Sequence, residues 1–325
     1  DYTDRYLTSA KLVKDDEATG TWYRIHWTKT VEDEEKEFVG YINDDIADYR
    51  EFQIETAYAD VLFLANKIEE GNFTYIVNRN NAISKESDID MPYGGKTDEF
   101  EKPVDDYGTL QDQSAPIFEN EDMTGAWRYA PDGSLVEVLS IGDKMSKVYI
   151  PEYDNEYYIP REFLRRSHTS DDIAIEELKQ AYVIDRKNQN AMFFVLNEET
   201  GAWEVLSMSY VSTGKSSEFA DPTPLGFFAV QKMRITQPYP SDTTGAISGY
   251  MPYAIRFSGG AYVHAVPVNY KTDENGNRVD PGLRQSHPSL GVQAESHMCV
   301  RNYTDHAKFL YNRIKVGEAA IIVIE

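Results

Sequence analysis

The chain of 325 residues is long enough for two or three domains, and 41% hydrophobic residues suffice for packed cores. Its net charge of −23 lies almost wholly in the first half: residues 1–174 carry 39 acidic against 18 basic side chains, residues 175–325 only 16 against 14. That balance argues against nucleic acid and anionic membrane surfaces as partners, no apolar run reaches the length of a membrane span, and the single cysteine excludes an internal disulfide.

In chain order, Tyr23, Ile25 and Trp27 alternate with Trp22, Arg24 and His26, which predicts a strand over 21–27. Glu37 to Ile42 predicts a second strand after a charged hairpin connection. His26, beside two tryptophans, reads as a strand residue rather than a ligand. Ala57, Val61, Leu64, Ala65 and Ile68 then fall on one helical face, which predicts a helix over 56–68. Residues 1–83 are therefore expected as an α+β module, and its "W…I" and "GYI" strands weakly resemble bacterial SH3-like repeats. Residues 84–109 are dense in charge, glycine and proline, without apolar periodicity, and predict an acidic, protease-sensitive linker. Strands predicted at 115–118, 133–139 and 157–164 give residues 110–170 a closer resemblance to an SH3-like small β-barrel. Such barrels leave aromatic grooves for extended peptides, so peptide binding and a plain spacer role are equally open. Asp171 to Gln180 reads as a short bridging helix or loop.

Residues 175–325 predict a mainly β domain, with strands at 191–196, 203–210, 227–233, 254–257, 261–266 and 320–324. One substantial helix is expected, after the cysteine: Ala307, Leu310, Tyr311 and Ile314 share a face, and Asn302 or Thr304 is placed to cap it. Cys299 at the mouth of that helix would feel partial positive charge favouring thiolate. On local sequence alone a nucleophile and a small buried hydrophobe are equally good readings of it.

Several motifs, in order, carry a resemblance: Ile184-Asp185, Met192 to Leu196, Ser212-Thr213-Gly214, Thr223 to Phe228, the strand from Met251 to Val266, Ser296-His297-Met298-Cys299-Val300-Arg301, and Val316-Gly317. Together they resemble the L,D-transpeptidase catalytic domain, whose signature is a histidine-glycine pair followed by Ser/Thr-His-Gly-Cys and then Arg or Asn. Two departures stand out. Met298 replaces the signature glycine, and His264 is followed by Ala265 and lies farther from Ser296 than usual, across the polar insertion Lys271 to Asn277. His287 also lies within reach in sequence, but no strand leads into it, so His264 is assigned the base role.

The resemblance implies a β-sandwich with one helix, an extracytoplasmic location with any export signal removed, and peptidoglycan peptide stems as substrate. Cys299 would be the nucleophile and His264 the general base. Ser296 would fix a histidine, and His297, Met298 and Cys299 would offer backbone N–H groups to the oxyanion. Arg301, Tyr253 and Asn302 would bind substrate, with Arg301 suited to a carboxylate. No metal or cofactor is expected, since the histidines and the cysteine show no ligand spacing. Three outcomes stay open: transpeptidation, L,D-carboxypeptidase trimming with water as acceptor, and a catalytically silent wall-binding protein. If the N-terminal modules only position the wall, a fragment of residues 175–325 should keep its reactivity.

Overall fold

The computed structural model describes residues 9–13, 22–31, 34–43, 50–81, 95–164, 175, 177–241 and 244–325. Two compact units divide the chain, Asp1–Glu51 and Phe52–Glu325.

The first unit holds β1 (Ser9–Val13), β2 (Trp22–Val31) and β3 (Glu34–Asn43), antiparallel in the order β1-β2-β3. The β2–β3 hairpin pairs throughout, from Trp22 opposite Asn43 to Val31 opposite Glu34. Both expected strands are present, but the sheet stays open with β1 and β3 as edges. An SH3-like fold needs a curled, closing sheet, so that expectation is corrected. The side-chain readings for Tyr23, Ile25, His26 and Trp27 lie outside the described residues.

The second unit opens with α1 (Ile54–Glu70), whose Ala57, Val61, Leu64 and Ile68 are buried. Their partners are Ala181, Val183, Met192, Phe194, Ala320 and Ile322 of the C-terminal region. Tyr58 and Phe63 add ring contacts to Phe194 and Phe227, with centroids 6.3 and 5.9 Å apart. Burying each of Val61, Leu64 and Ile68 stabilises this junction by about 1.5–3 kcal/mol.

A six-stranded antiparallel sheet follows, from β4 (Phe73–Tyr75), β5 (Ser114–Phe118), β6 (Trp127–Pro131), β7 (Leu135–Ile141), β8 (Met145–Ile150) and β9 (Asn155–Pro160). Its order is β4-β7-β8-β9-β5-β6, with Ile76, Ile117, Val136, Val148, Ile159 and Phe163 in its core. The two ends of this order do not pair with one another, and β4 precedes the acidic segment, so a self-contained SH3-like barrel over 110–170 is also corrected. The described part of the acidic segment is folded: Thr97 bridges Pro103, and Val104 bridges Leu110. Buried Asp105 accepts hydrogen bonds from the Tyr107 and Thr109 N–H groups and, at 2.8 Å, from Tyr129 N–H. The linker readings over 84–94 and half of the bridging segment, 171–174 and 176, lie outside the described residues.

The C-terminal region contributes β10 (Gln180–Asp185), β11 (Asn190–Asn197), β12 (Ala202–Ser212), β13 (Gly226–Ala229), β14 (Lys232–Pro240), β15 (Ile247–Ser258), β16 (Ala261–Ala265) and β17 (Val268–Asn269). After these come the two-residue pair β18 (Lys271–Thr272) and β19 (Arg278–Val279), then β20 (Val300–Asn302), α2 (Thr304–Arg313) and β21 (Ala319–Ile324). Ten strands form one sheet in the order β13-β21-β10-β11-β12-β20-β16-β15-β14, with β17 beside β15. Strand β12 belongs to both halves: it pairs β11 along most of its length and β20 through Val211 and Ser212. The halves enclose one core, Ile184, Phe193, Phe228 and Ile321 from the first meeting Ile255, Phe257, Val263 and Val300 from the second. α2 closes this core with Leu310, and Ile314 follows it. In β10, Tyr182 and Ile184 face this core while Ala181 and Val183 face α1, so the strand is apolar on both sides. The mainly β domain with a single helix after the cysteine is as expected.

Candidate active site

β20 runs parallel to β16, with Val263 opposite Val300, His264 opposite Arg301 and Ala265 opposite Asn302. Successive side chains alternate across a sheet. Val263 and Val300 enter the main core, so His264 and Arg301 face the other way, with Tyr262 and Cys299 one pleat before them. There Tyr262, Cys299, Met251 and Ala254 form a small cluster edged by Tyr239. β15 reaches it through Tyr253, whose φ of 53° breaks the alternation. Met251 and Ala254, three residues apart, therefore share the cysteine's face, while Ile255 and Phe257 return to the main core.

The Cys299 thiol lies 3.6 Å from the Gly260 carbonyl, to which it donates, and 3.9 Å from the Met251 sulfur. His264 is buried, and its Nδ1–H is directed at the Ala265 carbonyl 2.5 Å away, which leaves Nε2 as the accepting nitrogen. Among the described residues no hydrogen bond joins His264 to Cys299. Burial pushes the thiol up to about 11, against smaller lowering effects of the Tyr262 backbone and the Arg301 charge. Burial likewise pushes the imidazole down to about 3; the Ala265 hydrogen bond opposes this and Arg301 reinforces it. At neutral pH the resting pair is thiol and neutral imidazole.

The helix-mouth expectation is corrected here. β20 separates Cys299 from α2, which starts at Thr304, and helix-end charge acts only within about a turn. β20 leaves no sign in the sequence, because three residues are too few to show a period.

Met298 has a φ of 61°, the left-handed region in which glycine is unstrained, which is a physical reason for glycine in the signature. The turn is held from three sides. Met298 N–H donates to the Asp221 carbonyl at 2.8 Å, and the Thr223 hydroxyl donates to the Met298 carbonyl at 2.9 Å. Gly214 packs so closely that an added Cβ would sit 2.7 Å from Met298 Cα. Cys299 N–H donates to the His297 carbonyl at 2.7 Å. Two of the three expected oxyanion donors are thus engaged, and only the His297 N–H has no partner among the described residues.

Residues 179–324 match the family model described as YkuD, the L,D-transpeptidase catalytic domain. This part of the chain is an L,D-transpeptidase catalytic domain. No curated protein matches the chain significantly. Among solved structures, an L,D-transpeptidase from Mycobacterium tuberculosis H37Rv is 18% identical with a TM-score of 0.32, over 53% of this chain and 73% of that one. L,D-transpeptidase 3 from the same species is also 18% identical, with a TM-score of 0.33, over 53% and 75%. One from Mycobacterium smegmatis is 15% identical with a TM-score of 0.35, over 98% and 100%. These distant likenesses add nothing to the family match.

Other expected residues of the transpeptidase domain sit as follows. Ser296 donates its hydroxyl to the Cys299 carbonyl, not to a histidine, and the His297 side chain is exposed. Arg301 lies beside Cys299 and His264, with Glu295 3.7 Å away. Asn302 is fully buried on the opposite face, where its oxygen accepts from the Tyr182 hydroxyl at 2.7 Å and lies 3.0 Å from His306 Nδ1. Tyr253 turns its ring to Tyr311 on the α2 side, with centroids 5.9 Å apart. His287 lies near Glu295, 3.4 Å away, and Ser289. Sequence reading missed Lys102, whose ammonium pairs with Asp221 at 2.5 Å and also donates to the Ala220 carbonyl, bracing the loop segment whose Asp221 carbonyl holds Met298. It sits in a stretch that composition marks as linker, and no local signal separates it from other surface lysines.

Proposed function

We propose that the protein is an extracytoplasmic cysteine L,D-transpeptidase acting on peptidoglycan peptide stems. The observation that carries this is that His264 on β16 and Cys299, one residue before the parallel partner β20, share one face inside a transpeptidase domain. The Cys299 sulfur attacks the carbonyl of the penultimate stem residue. Its proton passes to His264 Nε2 and on to the departing amine, so the amide bond breaks, the terminal D-amino acid leaves, and a thioester remains. A side-chain amine of a second stem then attacks the thioester; an amide bond forms, the amine's proton returns through His264, and the thiol is restored. Because both groups rest neutral, thiol deprotonation accompanies attack rather than preceding it. The His297 N–H is the available donor to the oxyanion, and Arg301 the group suited to a stem carboxylate.

A second reading, a catalytically silent protein, is favoured by the high thiol pKa and the engaged Met298 and Cys299 N–H groups. Mass analysis after incubation with a carbapenem, and then with a tetrapeptide muropeptide with and without an amine acceptor, separates the outcomes. An adduct on Cys299 and cross-linked product support transpeptidation. A trimmed tripeptide alone indicates the carboxypeptidase. Absence of both adduct and product would sink the enzymatic reading.

A further inference from the structure

The Gly259–Gly260 turn between β15 and β16 carries the carbonyl that faces the Cys299 thiol, and residues outside the transpeptidase domain hold it. Asp132, fully buried at the β6–β7 turn, accepts four hydrogen bonds. One comes from Asn78 N–H at 2.7 Å; the others come from Gly259 N–H at 2.7 Å, Arg256 Nη2 at 3.0 Å and Gln231 Nε2 at 3.1 Å. Arg256 completes the clamp by donating from Nε to the Gly259 carbonyl at 2.9 Å. The β6–β7 turn comes close enough only because residue 133 is glycine: a Cβ there would lie 1.9 Å from the Phe257 carbonyl oxygen.

Gln113 presses on the same turn. Its φ of 56° is strained for a residue with a side chain, and it is pinned from both sides. The Gln113 N–H donates to Asn81 Oδ1 at 2.7 Å, and Asp132 N–H donates to the Gln113 carbonyl at 2.8 Å. Its amide lies against Gly259, where an added Cβ would meet Oε1 at 2.5 Å, and its Nε2 is 3.6 Å from the Met298 sulfur. Gly259 precedes the thiol's acceptor, and Met298 precedes the thiol itself. Gln113 is therefore wedged between the Gly259 backbone and the Met298 thioether, which belong to the residues next to the thiol's acceptor and to the thiol itself.

We infer that Gln113 and Asp132 are positioning residues for the Cys299 thiol, acting through the Gly259–Gly260 turn and Met298. The inference rests on Cys299 being the reactive group proposed above, and two probes separate the two ideas. Full-length wild type, Gln113→Gly and Asp132→Asn are each treated with iodoacetamide, which needs only an accessible thiol, and with a carbapenem, which needs a positioned one. Adduct formation is followed by intact mass and melting by fluorescence. Gln113→Gly suits the left-handed backbone and so retains the fold while losing the wedge. With its melting point near wild type, iodoacetamide should react about tenfold faster as the turn opens more often. Carbapenem acylation should fall on the order of 10- to 100-fold as the sulfur leaves its attack geometry. A merely structural contact would move the melting point and leave both rates alone. Alkylation of Gln113→Gly within twofold of wild type overturns the inference, whatever Asp132→Asn does. A wild type that no carbapenem acylates overturns the proposed function instead, and the alkylation rates still decide the positioning role.

Discussion

Met298 combines two opposing effects that substitutions can separate. Its side chain is 7% exposed and belongs to the main core, so truncation to alanine should cost about 2–5 kcal/mol. Its backbone, at φ 61°, costs any residue with a Cβ about 1–2 kcal/mol that glycine avoids. Glycine's greater freedom in the unfolded chain takes back about 0.5–1 kcal/mol. The expected order of stability is therefore methionine, then glycine, then alanine, with glycine about 1 kcal/mol above alanine. At an ordinary helix or strand position the last two would be reversed. Urea unfolding of the three proteins with a shared slope reads the order from the midpoints. Alanine equal to or above glycine would refute the backbone strain, and glycine equal to methionine would refute the packing of the thioether. In the same proteins Met298→Gly should preserve or raise the rate of Cys299 alkylation, since the backbone loses its strain and the thiol segment loses the thioether that Gln113 presses on.

The rate of Cys299 alkylation should climb with pH toward an inflection near 11, well above a free thiol; an inflection below about 8.5 would mean that burial is not the dominant influence. His264 has a depressed folded pKa, so its share of stability is present above about 6.5 and is lost as pH falls toward 3. Urea titrations should show His264→Gln flatter than wild type over that window by up to about 1.4 kcal/mol per pH unit, and parallel curves would contradict a buried neutral imidazole. His264→Ala should slow carbapenem acylation on the order of 100-fold and His287→Ala far less; the reverse ranking moves the base to His287. A fragment of residues 175–325 should expose the face that α1 covers and fail to stay soluble, and a soluble, carbapenem-reactive fragment would show that α1 is dispensable.

The strands of the transpeptidase domain were legible because their apolar runs are long and both faces are buried, as in β10, β11 and β21. Helix α1 was legible for its 3.6-residue period, but its partner was not: the period says that a face is buried, not against what. Its proximity to the N-terminal strands in sequence favoured grouping it with them, whereas its contacts are to β10, β11 and β21. Short aromatic strands suggested small barrels because local alternation is the same in a closed and an open sheet; closure depends on which edges meet. At the site, the residue types at 264 and 296–301 were informative, while the fate of each backbone N–H was not. Hydrogen bonds from Met298 to Asp221 and from Cys299 to His297 depend on turn geometry that side-chain identity does not encode. The clamp at Asp132 was equally silent, since Pro131-Asp132-Gly133 reads as any tight turn.

The parallel pairing of β20 with β16 has a consequence for how this protein can vary. Cys299 and His264 are registered against each other by a ladder of main-chain bonds, and the β18–β19 hairpin between them pairs its two strands with each other rather than with that ladder. Closing a flexible loop twice as long costs only about 0.6 kcal/mol more. The hairpin of β18 and β19 can therefore lengthen, shorten or change charge without displacing either reacting group. Selection on what approaches the thiol and selection on the thiol's own geometry then fall on different stretches of sequence. Exchanging residues 271–280 between relatives is accordingly a way to alter the approach while leaving the chemistry in place.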